Sequence, residues 1–295
     1  MRLLQRNIDG RYTLTEFTGD AIPPYAILSH TWGADHDEVT LADLDKGTDM
    51  TKAGYKKLQF CADEAAKDHL RYFWVDTCCI DKTSSAELSE AINSMFKWYR
   101  KAAQCYAYLS DVSTSHISSE KPVRQDWYPR FQRSRWFTRG WTLQELVAPT
   151  SVEFFSVEGE RLGNKYTLVQ ELHDITGISV EALRGIPPDH FSVDERMSWV
   201  GRRQTKREED MVYALLGIFK VYMPPMYGEG WDHAFARLQK EINARSSQEP
   251  QNVASRTQSQ AAQSYNGAVF NGPISGHYVV SGTHVTGGTN NFHFG

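Results

Sequence analysis

In the first half of the chain, apolar positions fall into short continuous runs separated by stretches of helical spacing. "YAILSHTWG" (25–33) opens as a buried strand and ends in polar residues, and "YFWVDTCCID" (72–81) and "CYAYLSDV" (105–112) repeat that form. Between the first two, Tyr55, Leu58, Cys61, Ala62, Ala65 and His69 recur at helical intervals over 53–69. Between the second and third, "SSAE" (84–87) has the Ser-x-x-Glu form of a capping box. Leu88, Ile92, Met95, Phe96 and Tyr99 then make one face of a long helix. Strands alternating with helices predict an α/β fold built on a parallel sheet covered on both faces.

Beyond residue 150 the spacing turns mostly helical. "VEFFSV" predicts one more strand, while "DERMSWVGRR" and "EEDMVYALLGIFK" predict helices, the second apolar nearly all round and therefore buried. "MPPMYGEG" must turn at its two prolines. Trp231, Ala234, Phe235, Leu238 and Ile242 form the stripe of a last helix. Residues 1–150 thus read as an α/β core and 151–243 as its helical cap. From 244 to 263 the chain is rich in Ser, Gln and Ala and reads as a flexible linker. After Arg256 no charged residue occurs, which sets 264–295 apart as a tail.

Charge changes the picture only by exclusion. A net charge of −4 leaves no electrostatic footprint for nucleic acid or an anionic membrane. The basic cluster Arg202, Arg203, Lys206 and Arg207 runs into Glu208, Glu209 and Asp210, and reads as a solvated helix face. "MRLLQRNIDG" lacks a signal-peptide run, and no segment approaches the ~20 apolar residues of a membrane span, so a cytoplasmic protein is expected. Cys61, Cys78, Cys79 and Cys105 then read as buried thiols, and the vicinal pair lacks zinc-ligand spacing.

The chemistry gathers at the strand ends, where open parallel sheets bind ligands. The first strand ends in Ser29, His30, Thr31, Trp32 and Gly33, the second in Asp76, Thr77, Cys78 and Asp81, the third in Ser110 and Asp111. That is the composition of a crevice for a polar ligand. Plainer readings stand beside it. Asp76 and Asp111 could cap the helices that follow, and His30 could be a satisfied histidine packed on Trp32. Cys78 or Cys79 with His30 could form a nucleophile pair. In "SRWFTRGWTLQELVAP" (134–149), "TLQE" fits a capping box, which would make Glu145 its return arm. A helix beginning near Gly140 instead puts Trp141 and Glu145 on one face. The residues leave both open.

Taken together, these blocks closely resemble the fungal HET (heterokaryon incompatibility) domain. The resemblance continues through "SVDERMSWVGRRQTKREEDMVYALLGIF" and "MYGEGWDHAFARLQKEI" to about residue 243. It implies a cytoplasmic effector of regulated cell death in non-self recognition. HET domains are in turn distantly similar to TIR domains, and "AYLSDV" followed by "GWTLQEL" matches the TIR pattern at Trp141, Glu145 and Leu146. In TIR enzymes that glutamate cleaves NAD. The resemblance therefore implies a TIR-like sheet, NAD as substrate without a further cofactor or metal, and Glu145 as catalyst. Ser29, His30, Trp32, Asp76, Ser110 and Trp141 would bind the substrate, with Arg135 or Arg139 at its pyrophosphate. The alternative is a non-enzymatic death adaptor acting by partner recruitment.

The tail carries a rhythm of apolar, polar and glycine residues ("FNG", "ISG", "VSG", "TGG"). Plain disorder fits the glycine, but low charge with β-branched and aromatic residues favours stacked cross-β strands. It resembles the amyloid, prion-like signalling motifs of fungal death effectors, with Val269, Phe270, Ile274, Val280, Val285, Phe292 and Phe294 as strand-forming positions. That resemblance implies self-association through the tail, templated by an NLR-type receptor carrying a matching motif.

Overall fold

The structure, a computed structural model, describes residues 1–115 and 124–263. Among these, the strands are β1 (Arg2–Arg6), β2 (Tyr12–Glu16), β3 (Tyr25–His30), β4 (Tyr72–Trp74), β5 (Gln104–Tyr108), β6 (Val152–Phe155) and β7 (Arg161–Asn164). They form one sheet in the order β2-β1-β4-β3-β5-β6-β7. The expectation of a parallel sheet holds for its centre only. β3 runs parallel to β4 and β5, and β5 to β6, whereas the β1–β2 hairpin and β7 pair antiparallel at the edges. The sheet is therefore mixed. Both edges are reached by tight turns instead of helical crossovers, at Gly10 and Gly159 with positive φ, a conformation only glycine adopts without strain. "RLLQR" does not alternate, and the alternation of "YTLTE" spans only five residues, too short to announce the hairpin.

Every residue of β3 is buried, because it lies mid-sheet with helices over both faces. α1 (Leu41–Lys46) and α2 (Tyr55–Lys67) follow it, and α3 (Ser85–Lys101) joins β4 to β5. α2 buries Tyr55, Leu58, Cys61, Ala62 and Ala65, the stripe expected from its spacing except for His69, which lies past the helix end, exposed and with a φ of 58°. α3 buries Ala91, Ile92, Met95, Phe96 and Tyr99. Ser84 Oγ accepts from the Glu87 N–H at 3.3 Å, but the Glu87 carboxylate turns to the Asp81 N–H and to Arg2, so only half of the capping box forms.

The remaining helices are α4 (Arg124–Gln132), α5 (Thr142–Val147), α6 (Val169–Thr176), α7 (Val180–Leu183), α8 (Val193–Ser198), α9 (Glu208–Tyr213), α10 (Leu216–Phe219) and α11 (Gly230–Gln263). "EEDMVYALLGIFK" is buried as its pattern demands but breaks into α9 and α10. α10 packs on α3 so closely that a Cβ on Gly217 would stand 2.0 Å from Phe96 Cβ. Gly217→Ala is therefore expected to destabilise the fold by about 1–3 kcal/mol, read as a lower urea midpoint at unchanged m-value.

The basic cluster is not a helix face. α8 stops at Ser198, and residues 202–207 form the loop before α9. Arg203 and Glu209 are each only 6% exposed. Glu209 accepts from the Gly228 and Gly230 N–H groups, at 2.7 and 3.2 Å. Lys206 pairs with Asp35, and Arg207 lies over the Tyr227 ring. Of these charges only Arg203, in the loop, and Glu209, on α9, are buried, which a charge count cannot register.

The chain divides into two units, Met1–Arg245 and Ser246–Gly295. In the first, α11 buries Ala234, Leu238 and Ile242, while Trp231 and Phe235 stack with ring centroids 5.2 Å apart. α11 extends through the 244–263 span that composition reads as linker, where Ala and Gln are good helix formers. Residues 264–295 lie outside the described residues, and with them Val269, Phe270, Ile274, Val280, Val285, Phe292 and Phe294.

Candidate active site

β3 ends on a buried carboxyl. Ser29, next to last in the strand, donates its hydroxyl to Glu145 Oε2 and accepts from Trp136 Nε1 at 2.8 Å. Glu145 stands on α5, whose N-cap is Trp141. Thr142 does not cap it: its hydroxyl bonds the carbonyls of Trp136 and Arg139, at 2.6 and 2.8 Å. With Thr142 turned back and Glu145 turned to Ser29, neither half of the capping box is made. Glu145 is 6% exposed, and burial pushes its carboxyl up to about 8. The Ser29 bond works against that rise, the negative charge of Asp76 adds to it, and Arg139 and Tyr99 oppose it. Tyr99 comes from α3, with its hydroxyl on the Leu28 carbonyl at 3.0 Å.

A second carboxyl sits beyond β4. Asp76 Oδ1 meets His30 Nε2 at 2.9 Å, and Oδ2 accepts from Trp32 Nε1 at 2.9 Å. Burial favours the neutral acid, but the His30 bond, the charge of Lys82 and the Trp32 bond together hold Asp76 well below the usual carboxylate range. The other ring nitrogen of His30, Nδ1, is buried with no hydrogen-bond partner. Two carboxyls within electrostatic reach are thus driven in opposite directions. Burial drives Glu145 toward the neutral acid, whereas its partners hold Asp76 as the anion.

Around these, the rim is polar. Thr31 and Ser110 hydroxyls lie 3.2 Å apart. Asp111 accepts from Ser134 Oγ and the Arg135 N–H, both at 2.7 Å, while Ser134 is the N-cap of the 3-10 turn Arg135–Thr138; Asp111 thus braces that turn instead of capping the helix that follows it in sequence. Arg135 reaches the Trp32 carbonyl at 3.3 Å. The Arg139 guanidinium lies 5.9 Å from the centre of the Trp32 ring. Trp141 is turned elsewhere, toward Asp210 on α9, whose ionised form it favours.

All four cysteines are buried and free. The Cys78 thiol turns to the Val75 carbonyl at 3.9 Å, and burial pushes it far above the range of a thiolate nucleophile. With His30 given to Asp76, the Cys–His pair does not form.

Residues 25–126 match the family described as "Heterokaryon incompatibility protein (HET)". The chain contains a HET domain. It is 55% identical over 243 residues to "Vegetative incompatibility protein HET-E-1" of Podospora anserina, a match covering 82% of this chain and 18% of that protein. The chain thus spans less than a fifth of the length of the curated relative it matches. No solved structure matches it. Among the described residues, no helix is long and apolar enough to cross a membrane.

The span matched as HET holds Ser29, His30, Trp32, Asp76 and Ser110, while Glu145 and its supports lie beyond residue 126. Four residues of this site, Tyr99, Trp136, Lys82 and Arg203, carry no functional signal in the sequence. Tyr99 looked like one more core position of α3. Trp136 lay within a dense aromatic stretch, and its N–H could not be aimed from sequence. Lys82 was one of many loop lysines. Arg203 is buried, with Nη1 donating to Thr142 Oγ1 at 2.7 Å and the Arg139 carbonyl at 3.0 Å. Beside it the Gly140 N–H meets the Gln204 carbonyl at 2.9 Å, and the Gln204 N–H meets the Thr138 carbonyl at 2.6 Å. The loop of the former "solvated face" therefore clamps the start of the helix that carries Glu145.

Proposed function

We propose that this HET domain is the catalytic part of a cytoplasmic cell-death effector of heterokaryon incompatibility, and that it cleaves NAD at the nicotinamide–ribose bond. The observation that carries this reading is the pair Glu145 and Asp76, two carboxyls driven apart at the carboxyl ends of parallel strands. When the bond breaks, its electrons leave with nicotinamide and positive charge builds on the ribose. The Glu145 carboxylate stabilises that charge, as carboxylates do at oxocarbenium-like states. Water then adds to the ribose carbon and releases its proton. Ser29 orients Glu145, and Arg139 and Arg135 stand at the rim for the pyrophosphate. The TIR-like "GWTLQEL" supports the chemistry, and the relative's name supports the setting. Tail templating by an NLR-type receptor would supply activation by raising local concentration.

The test is NAD consumption by the full chain seeded with fibrils of a 257–295 peptide. Wild type is expected to consume NAD at a rate that rises with pH through about 8, as Glu145 ionises. Glu145→Gln is expected to lose at least about a hundredfold. If neither protein consumes NAD although both assemble, the enzyme reading fails. One observation favours the adaptor in that event: Glu145 is almost fully enclosed, with its carboxyl already held by Ser29. An adaptor would still trigger death as Glu145→Gln.

A further inference from the structure

The Trp32 ring carries a cation that belongs to the chain itself. The Lys82 ammonium stands 3.7 Å from the ring centroid, closer than the Arg139 guanidinium. Trp32 gives its N–H to Asp76, and an indole polarised by a carboxylate presents a more electron-rich face to a cation. Its position is fixed from both ends, since the Trp32 carbonyl accepts from Arg135. Lys82, by contrast, is an exposed residue in the loop between β4 and α3, on a flexible stem. Burial of its ammonium disfavours the charged form, while Asp76 favours it. A fixed aromatic face is thus covered by a movable cation, at the edge of the two-carboxyl site.

We propose that this face of Trp32 is a subsite for a cationic aromatic ring, the nicotinamide ring of oxidised NAD, and that Lys82 covers it until such a ring displaces it. This rests on the NAD reading above. A pyridinium carries the full positive charge that the Trp32–Asp76 pair attracts, and it adds a flat surface that an ammonium lacks. The reduced, uncharged ring offers no charge to offset displacement of Lys82, so the subsite selects the oxidised form. Cleavage moves the bonding electrons onto the ring nitrogen and makes nicotinamide neutral. Its hold on Trp32 weakens at that moment, and Lys82 returns as the product leaves.

The probe is 1-methylnicotinamide, a permanent cation with no ribose bond to cleave, titrated into the full chain. Binding is followed by the charge-transfer absorption of an indole–pyridinium stack, with neutral nicotinamide as control. Wild type is expected to bind the cation roughly fivefold or more tightly than nicotinamide. Lys82→Ala is expected to bind it about fivefold more tightly again, Lys82→Arg to behave as wild type, and Trp32→Leu to lose the absorption band. Equal affinity for the two probes, or an unchanged affinity in Lys82→Ala, overturns the proposal. Should Trp32→Leu fail to fold by circular dichroism, the Lys82 pair still decides. Seeded NAD consumption, measured in parallel, separates the two ideas. Selectivity for the cation without NAD consumption overturns the enzyme reading and leaves the subsite standing. Consumption without selectivity overturns the subsite alone.

Discussion

Glu145→Gln is expected to stabilise the Met1–Arg245 unit at neutral pH, by up to about 3 kcal/mol. The Glu145 carboxyl is raised from its ordinary 4.5 to about 8 by burial. Between those values the folded protein keeps a proton that the unfolded chain has released. Stability contributed by such a group is fully present below its unfolded value and is lost as pH climbs to its folded value. The loss is about 1.4 kcal/mol for each pH unit, and it levels off above the folded value. Glutamine can still accept from Ser29 and carries no proton to lose. Chemical denaturation of both proteins at pH 5, 6, 7, 8 and 9 should therefore show wild type falling away from the variant until about pH 8. Parallel curves would mean that Glu145 does not hold its proton in the folded state. A carboxyl that weakens the fold at working pH has its rationale in what it does to a ligand.

Arg203→Met should have the opposite sign and a comparable size. Methionine fills much of the volume of the arginine stem but removes the two hydrogen bonds to Thr142 Oγ1 and the Arg139 carbonyl. Bonds to a charged donor contribute about 1.5–3 kcal/mol each, so a loss of roughly 3 kcal/mol is expected. That corresponds to a fall in Tm of about 6–12 °C for a unit of this size. Arg203 also faces Glu145 electrostatically; burial lowers the arginine to about 10, and the Glu145 charge works to raise it. Removing the cation should push the Glu145 carboxyl higher still, moving the pH at which NAD consumption sets in upward. A destabilised protein whose pH profile has not moved would show that Arg203 only braces the helix.

The strand ends were legible because burial and polarity alternate sharply there. An apolar run such as "YAIL" must lie inside a sheet, and the Ser29, His30 and Trp32 that follow must then lie at its mouth. Glu145 could be placed on a helix but not aimed, since its role depends on which of Ser29 and Thr142 it meets, and those contacts cross the fold. Arg203 was misjudged for the same reason: its neighbours in sequence are exposed, and only the loop before α9 turns it inward. The edge hairpin and β7 escaped because two-stranded antiparallel additions need little apolar content to pair with an existing sheet. Trp32 with Lys82 had no signal at all, since a cation over a ring is a matter of side-chain direction alone.

The contacts that fix Glu145 have a consequence for when the site comes into being. Ser29 and Glu145 are 116 positions apart, and Arg203 joins Thr142 across 61 more. During synthesis the chain emerges from its amino end, so the β3–β5 scaffold can form well before the clamp on α5 exists. The strands that hold Ser29, His30 and Asp76 are ready early, yet α5 stays untethered until residues 203–204 have cleared the ribosome tunnel. A nascent chain therefore holds no finished site until those residues have emerged. In a protein proposed to kill the cell that makes it, that delay is built into the order of the residues.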